Sequence, residues 1–271
     1  MAKRNFKLLV PLNYLRIEDS LLNSLKNTNL LSHIIIIDDT IIDGIKRYFI
    51  LKKLKKKMEF KEMEGDPFFL RFHLNIERKW TLPEIAYTYL NSSEKLKKEI
   101  LKAKEISFYP EIEKIFKLLL SVEGLIKLSI LNKINISTLN DLIFWGEKAF
   151  EISEKFSKME GTFSEFKNVS VLLRKAKLEG MENFKFKKKA KDMENYLKKI
   201  LYPNYTKDLK KFKDLLKKLK VPKDIKIKEF EFFEEKAIEI FIKLNGKNEE
   251  NVFDWLFENK ENIKNILKKM P

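Results

Sequence analysis

The chain has 271 residues, 44% of them hydrophobic and 35% charged, and a formal net charge of +16. That apolar fraction supports a buried core and excludes wholesale disorder, and the length suits two or three small domains. Zero cysteines exclude disulfides, thiolate zinc sites and thiol nucleophiles, while no apolar run approaches the roughly 18 residues of a membrane span.

Met1 to Lys7 has no apolar stretch of the signal-peptide kind, so a cytoplasmic protein is expected. Lys7 to Leu12 reads as a strand ended by Pro11. Leu21, Leu22, Leu25 and Leu30 suit one face of a short helix, with Asp19 or Ser20 as its cap. His33 to Ile37 is a β-branched run, the mark of a buried strand. Asp38-Asp39 turns the chain, Thr40 to Ile42 returns as a strand, and Gly44 opens a helix with Tyr48, Ile50, Leu51 and Leu54 on its apolar side. Met58 to Met63 alternates as an edge strand, and Asp66-Pro67 starts another helix.

Helical periodicity dominates from Leu82 to Leu201. Thr81 and Pro83 mark a helix start. Short packed helices are expected around Phe116–Leu120, Leu125–Leu128 and Ile136–Ile143, with a connector at Asn132–Asn135 and punctuation at Gly161 and Gly180. Past Pro203, an amphipathic helix over Asp208–Lys220 places Leu209, Phe212, Leu215, Leu216 and Leu219 on one side. Ile225 and Ile227 begin a strand, Ala237 to Leu244 forms another, and Asn245-Gly246 turns the chain. Helices close it at Val252–Phe257 and Ile263–Leu267. The fold class is therefore α+β: a mixed domain over 1–80, an all-helical domain over 81–202, and a small helix–strand–strand–helix domain over 203–271.

Charge is unevenly spread. Lysine supplies 50 of the 56 basic residues, and between Asn183 and Lys228 17 lysines stand against 5 acids, a local excess of 12. Such a field attracts polyanions and grips phosphates without reading sequence. Lys185, Lys187, Lys188, Lys189, Lys210, Lys211, Lys217 and Lys218 are the candidate DNA contacts. The alternative is a set of solvated, lysine-rich helix faces. Phe184, Phe186, Tyr196 and Tyr202 interleave with these lysines; they suit either base stacking or apolar helix faces.

Two segments carry chemistry. In Asp43-Gly44-Ile45-Lys46-Arg47, glycine between a strand and a helix allows close backbone approach to a ligand. The helix start offers N–H groups and the positive dipole end, and Lys46 and Arg47 add charge, which together suit phosphate. In Asn75-Ile76-Glu77-Arg78, the spacing puts Asn75 and Arg78 on one face if the segment is helical. His33 and His73 lie apart without metal-ligand spacing, and Asp38-Asp39 reads as a turn rather than a metal pair. No catalytic residue and no metal ligand set is identified.

Taken in order, Gly44-Ile45-Lys46-Arg47-Tyr48-Phe49, Leu74-Asn75-Ile76-Glu77-Arg78 and Leu82-Pro83-Glu84-Ile85-Ala86 resemble the phosphate-binding boxes of the ParB chromosome- and plasmid-partitioning family. Phe116–Leu120 and Asn135–Leu139 resemble parts of that family's helical centre. The resemblance implies a ParB/sulfiredoxin-type N-terminal domain, a central helical domain with a degenerate helix-turn-helix, and a C-terminal domain that dimerises and binds DNA. It also implies a nucleoid-associated homodimer, a partitioning ATPase as partner, and CTP or another nucleoside triphosphate at Gly44, Lys46, Arg47, Asn75 and Arg78. Two motif glutamates are replaced, by Ile45 and Leu74, which removes the carboxylates that would hold a metal ion or organise hydrolysis. The helix-turn-helix stretch, Lys97 to Phe116, lacks a turn glycine and is interrupted by Pro110. A degenerate interaction module on the same fold is the alternative. A small-molecule kinase is a third reading, but it needs an acidic or histidine partner where Ile45 and Lys46 stand.

Overall fold

A computed structural model of the chain describes residues 6–16, 21, 33–107, 109–229, 238–244 and 248–269. It is of mixed α and β class, and the chain divides into two compact units, Met1–Glu194 and Asn195–Pro271. Apart from Leu21, the leucine-rich helix expected between 21 and 30 lies outside the described residues, as do the Asn245-Gly246 turn and the strand start at Ala237. No helix among the described residues is long and apolar enough to cross a membrane.

The first unit opens with a four-stranded sheet ordered β1-β3-β2-β4. Its strands are β1 (Lys7–Leu8), β2 (Ile34–Ile37), β3 (Thr40–Asp43) and β4 (Phe60–Glu62). β1 is shorter than expected, because Leu12–Tyr14 winds into a turn of 3₁₀ helix straight after Pro11. β2 and β3 form an antiparallel pair about the Asp38-Asp39 turn, with Ile36 opposite Ile41. The four consecutive isoleucines of β2 do not bury equally. Ile34 and Ile36 are fully buried, while Ile35 and Ile37 are covered only in part. β4 pairs parallel with β2 and takes the edge position its weak alternation suggested.

β3 feeds α1 (Ile45–Lys53) through Gly44, whose φ of +76° is a left-handed conformation that L side chains rarely adopt. Ile45, Tyr48, Ile50 and Leu51 of α1 cover the sheet and close the core around Val10, Ile34, Ile36, Ile41 and Ile42. α2 (Pro67–Leu74) begins at Asp66, whose side chain accepts from Phe69 N at 2.8 Å, with proline in the first turn where its missing N–H costs nothing. α3 (Leu82–Leu90) is capped by Thr81, which accepts from Glu84 N at 3.3 Å.

The helices α4 (Glu94–Ala103), α5 (Ile112–Ser121), α6 (Glu123–Ile130), α7 (Ile136–Ile143), α8 (Ala149–Ser157) and α9 (Phe163–Leu178) follow. α5 runs through their middle and buries Ile112, Ile115, Phe116, Leu118 and Leu119. It is thus a core helix, with Lys114 and Lys117 on its exposed side. A side chain at Gly124 would meet Ser157 Oγ at 2.3 Å, so glycine there lets α6 and α8 pack in close contact. α9 starts with a full capping box between Thr162 and Glu165, which satisfies two N-terminal N–H groups reciprocally.

α10 (Ala190–Leu201) crosses from the first unit to the second. In the second unit, α11 (Pro203–Lys218) starts at the proline, earlier than the amphipathic pattern placed it. β5 (Ile225–Glu229) and β6 (Ile238–Ile242) form an antiparallel ribbon with Ile227 opposite Ile240. α12 (Glu249–Glu258) and α13 (Lys260–Lys269) complete a small core of Phe212, Ile225, Ile227, Val252 and Ile266.

Candidate phosphate site

The β3–Gly44–α1 junction and the turn after α2 meet at one cleft of about 200 Å³. Gly44, Lys46, Arg47, Asn75 and Arg78 all line it, together with Asp43 and Arg71. Segments some thirty residues apart in sequence therefore supply one surface, with four basic side chains against a single carboxylate.

Each side chain is held by what surrounds it. Arg47 donates from Nη1 to the carbonyl of His33, the residue before β2, at 3.1 Å. Asn75 donates from Nδ2 to Asp43 Oδ1 at 3.1 Å and to the carbonyl of Arg71 at 3.0 Å, tying the end of α2 to the end of β3. The expectation that Asn75 and Arg78 share a helix face is corrected. α2 ends at Leu74, Asn75 is its C-cap, and Arg78 N bonds back to Asn75 O at 3.1 Å. A turn, not a helix, brings the two side chains to the same cleft.

Beneath them lies a buried charge cluster. Arg71 is 2% exposed and Glu84 1% exposed, and Glu84 Oε1 accepts from both Arg71 and the partly exposed Arg78. Arg71 also donates from Nη1 to the carbonyl of Ile42 at 2.5 Å. Burial pushes the Arg71 guanidinium below its ordinary value, and the Glu84 carboxylate opposes that push. The Nε atoms of Arg71 and Arg78 are both buried with no hydrogen-bond partner. Unpaired donors of this kind are costly inside a protein.

Trp80 anchors the turn. Its Nε1 donates to Asn75 O at 2.9 Å, and its ring is flanked by Arg71 and Arg78, each 5.6 Å from the centroid, and by Lys104 at 5.0 Å. Lys104 reaches from the end of α4 to donate to the carbonyls of Ile76 at 2.6 Å and Arg78 at 3.1 Å. Burial, then the Arg78 charge, lowers the Lys104 ammonium from its ordinary value, with Glu84 acting the other way.

Asp43, Arg71, Glu84, Trp80 and Lys104 were not among the site residues drawn from sequence. One signal was available for Arg71: it is an arginine inside the apolar run Phe68-Phe69-Leu70-Arg71-Phe72. A charge in such a position must be paired, which points to a carboxylate elsewhere.

The lysine candidates occupy different ground. Lys185, Lys187, Lys188 and Lys189 lie on an irregular segment between α9 and α10, not on a helix as expected. The reason is visible in the backbone: Glu160 N donates to Lys188 O at 2.9 Å and Ala190 N to Glu160 O at 2.8 Å, forming an isolated bridge. Phe184 packs edge-on against Trp145 at 5.7 Å, an apolar role rather than a stacking platform. Lys210, Lys211, Lys217 and Lys218 lie exposed on α11, opposite its buried Phe212.

His33 Nε2 is 3.7 Å from Glu59 and His73 Nε2 is 3.6 Å from Glu99, one carboxylate neighbour for each histidine among the described residues. Among the described residues no group of three or more His, Asp or Glu side chains could hold a metal ion. Tyr48 is buried, packing against Phe6 and Phe49 in the sheet core. Compared with family models, curated proteins and solved structures, the chain finds no match.

Proposed function

We propose that this chain is a ParB-like DNA-binding protein that takes a nucleoside triphosphate, CTP foremost, at the Gly44 cleft. One observation carries the reading: Gly44, Lys46, Arg47, Asn75 and Arg78, chosen from two separate sequence segments, line a single basic pocket. A left-handed glycine before a helix, with flanking arginines, is chemistry suited to phosphate. The reading is of binding rather than turnover, because Ile45 and Leu74 stand where carboxylates would hold a metal ion. DNA contact is assigned to the lysines between Lys185 and Lys218, through phosphates and without base reading. The family resemblance extends the proposal to a homodimer in the nucleoid, served by a partitioning ATPase.

A second reading has its own observation. Arg78 already shares the Glu84 carboxylate with Arg71, so part of its charge is answered within the protein. That suits an interaction module that keeps the fold without the nucleotide.

Calorimetric titration of CTP, ATP and GTP into wild type and Arg47→Ala separates the two. The proposal expects saturable binding, strongest for CTP, that weakens in the variant. No heat with any of the three nucleotides would overturn it and leave the interaction module.

A further inference from the structure

A second cavity of about 430 Å³ lies beside the phosphate cleft, between the Trp80 turn, α3 and the connection from α6 to α7. Lys46 lines both spaces, and Glu84, which holds Arg71 and Arg78 of the first, lines the second. The volume falls in the range of small-molecule sites, which combine apolar and aromatic walls with a few placed polar groups. The walls here have that mixture. Trp80 and Tyr109 supply aromatic surface, Ile85 and Ile134 apolar surface, and Ser129 and Ser137 hydroxyls.

Ser129 is the independent pointer. It is 5% exposed and its Oγ is buried without a hydrogen-bond partner, although a helical serine readily bonds back to a carbonyl one turn earlier. An unpaired buried hydroxyl costs free energy unless something answers it. The charge also becomes less one-sided across the two spaces: Lys46, Arg47, Arg71 and Arg78 face Asp43 alone in the cleft at Gly44, whereas the second cavity sets Arg16, Lys46, Lys79 and Lys104 against Glu84 and Glu105. A ligand with an anionic end and a neutral, flat, hydrogen-bonding end matches that gradient.

We propose that the second cavity receives the base and sugar of the nucleotide whose phosphates occupy the Gly44 cleft, an inference that rests on the phosphate reading above. Ser129 Oγ bonds the sugar or base, and the aromatic and isoleucine walls exclude water from the base.

Calorimetry comparing CTP, ATP and GTP with inorganic tripolyphosphate at physiological salt tests this on the full chain. Base contacts predict that at least one nucleotide binds wild type about tenfold or more tightly than tripolyphosphate. Ser137→Trp, placed to fill the cavity from the start of α7, is expected to reduce that nucleotide to the tripolyphosphate level and leave tripolyphosphate itself unchanged. Ser129→Ala should weaken the nucleotide alone. Equal affinity of wild type for nucleotide and tripolyphosphate overturns the subsite while the phosphate reading stands, whether or not the tryptophan variant folds. Absence of tripolyphosphate and nucleotide binding to wild type overturns the phosphate reading and the subsite together.

Discussion

The chain concentrates positive charge in two places and by opposite means. Around Gly44 it uses a few arginines, one of them buried against Glu84 and fixed to a backbone carbonyl. Between Asn183 and Lys228 it uses many lysines, most of them exposed on an irregular segment and on α11. A buried guanidinium has one geometry and a large cost if its partner is removed. An exposed ammonium has many geometries, and its field is screened within about 8 Å at physiological salt. Net charge alone hides that difference: the first arrangement can select a ligand by shape, and the second can only accumulate polyanions.

The contrast is most open to attack at Glu84. Glu84→Ala leaves Arg71 buried without its counter-charge and should cost about 3–5 kcal/mol, read as a lower midpoint in urea unfolding. A single exposed lysine changed to glutamate, Lys210→Glu for example, should stay within about 0.5 kcal/mol. Comparable costs for the two would erase the distinction.

Next in size is the lysine field. Reversing Lys185, Lys187, Lys210, Lys211, Lys217 and Lys218 together should lower DNA affinity about a hundredfold or more and flatten its salt dependence, by about one unit of slope for each DNA phosphate no longer neutralised. Nucleotide binding should not change. Fluorescence anisotropy across a salt series provides the measurement, and an unaltered slope would remove DNA binding from these residues.

Gly44→Ala probes the turn that aims α1 at the cleft. A left-handed φ costs an L-residue roughly 1–2 kcal/mol, and the added Cβ meets Ile34 Cα at 3.4 Å. Lower thermal stability and weaker nucleotide binding should appear together.

The smallest effect is set by pH. The exposed Glu182 carboxyl is held down to about 2, first by its hydrogen bonds to Lys148 and Lys177 and then by their charges. A carboxyl with a depressed folded value contributes stability above its ordinary value of 4.5 and loses it as pH falls toward 2. Glu182→Gln should therefore flatten the acid limb of stability in that window, slightly, because solvent screens an exposed pair. An unchanged acid limb would show that the pair contributes nothing.

Much of the sheet and its glycine turn could be read from sequence, because local chemistry fixes them. Four isoleucines make β2, Asp38-Asp39 makes the turn, and Gly44 makes the strand-to-helix junction with a positive φ. Asp66 and Thr81 announced α2 and α3 as capping residues. Long-range pairings stayed hidden. Nothing local tells Arg71 that its partner is Glu84, thirteen residues on and on another helix. The lysine-rich run toward Ala190 reads as helix by composition, yet a backbone bridge to Glu160 and the packing of Phe184 on Trp145 hold it irregular. Asn75 and Arg78 meet through a turn, because an i, i+3 spacing joins side chains there as well as on a helix.

The central claim is that the arginine-built cleft, and not the lysine field, selects a phosphorylated ligand. Titrating CTP into wild type and Arg78→Ala side by side by calorimetry tests it most directly. Saturable binding to wild type that drops about tenfold or more in the variant, the size expected for losing charge-assisted hydrogen bonds, is the predicted result. Equal binding to both proteins would place the ligand elsewhere and contradict the claim.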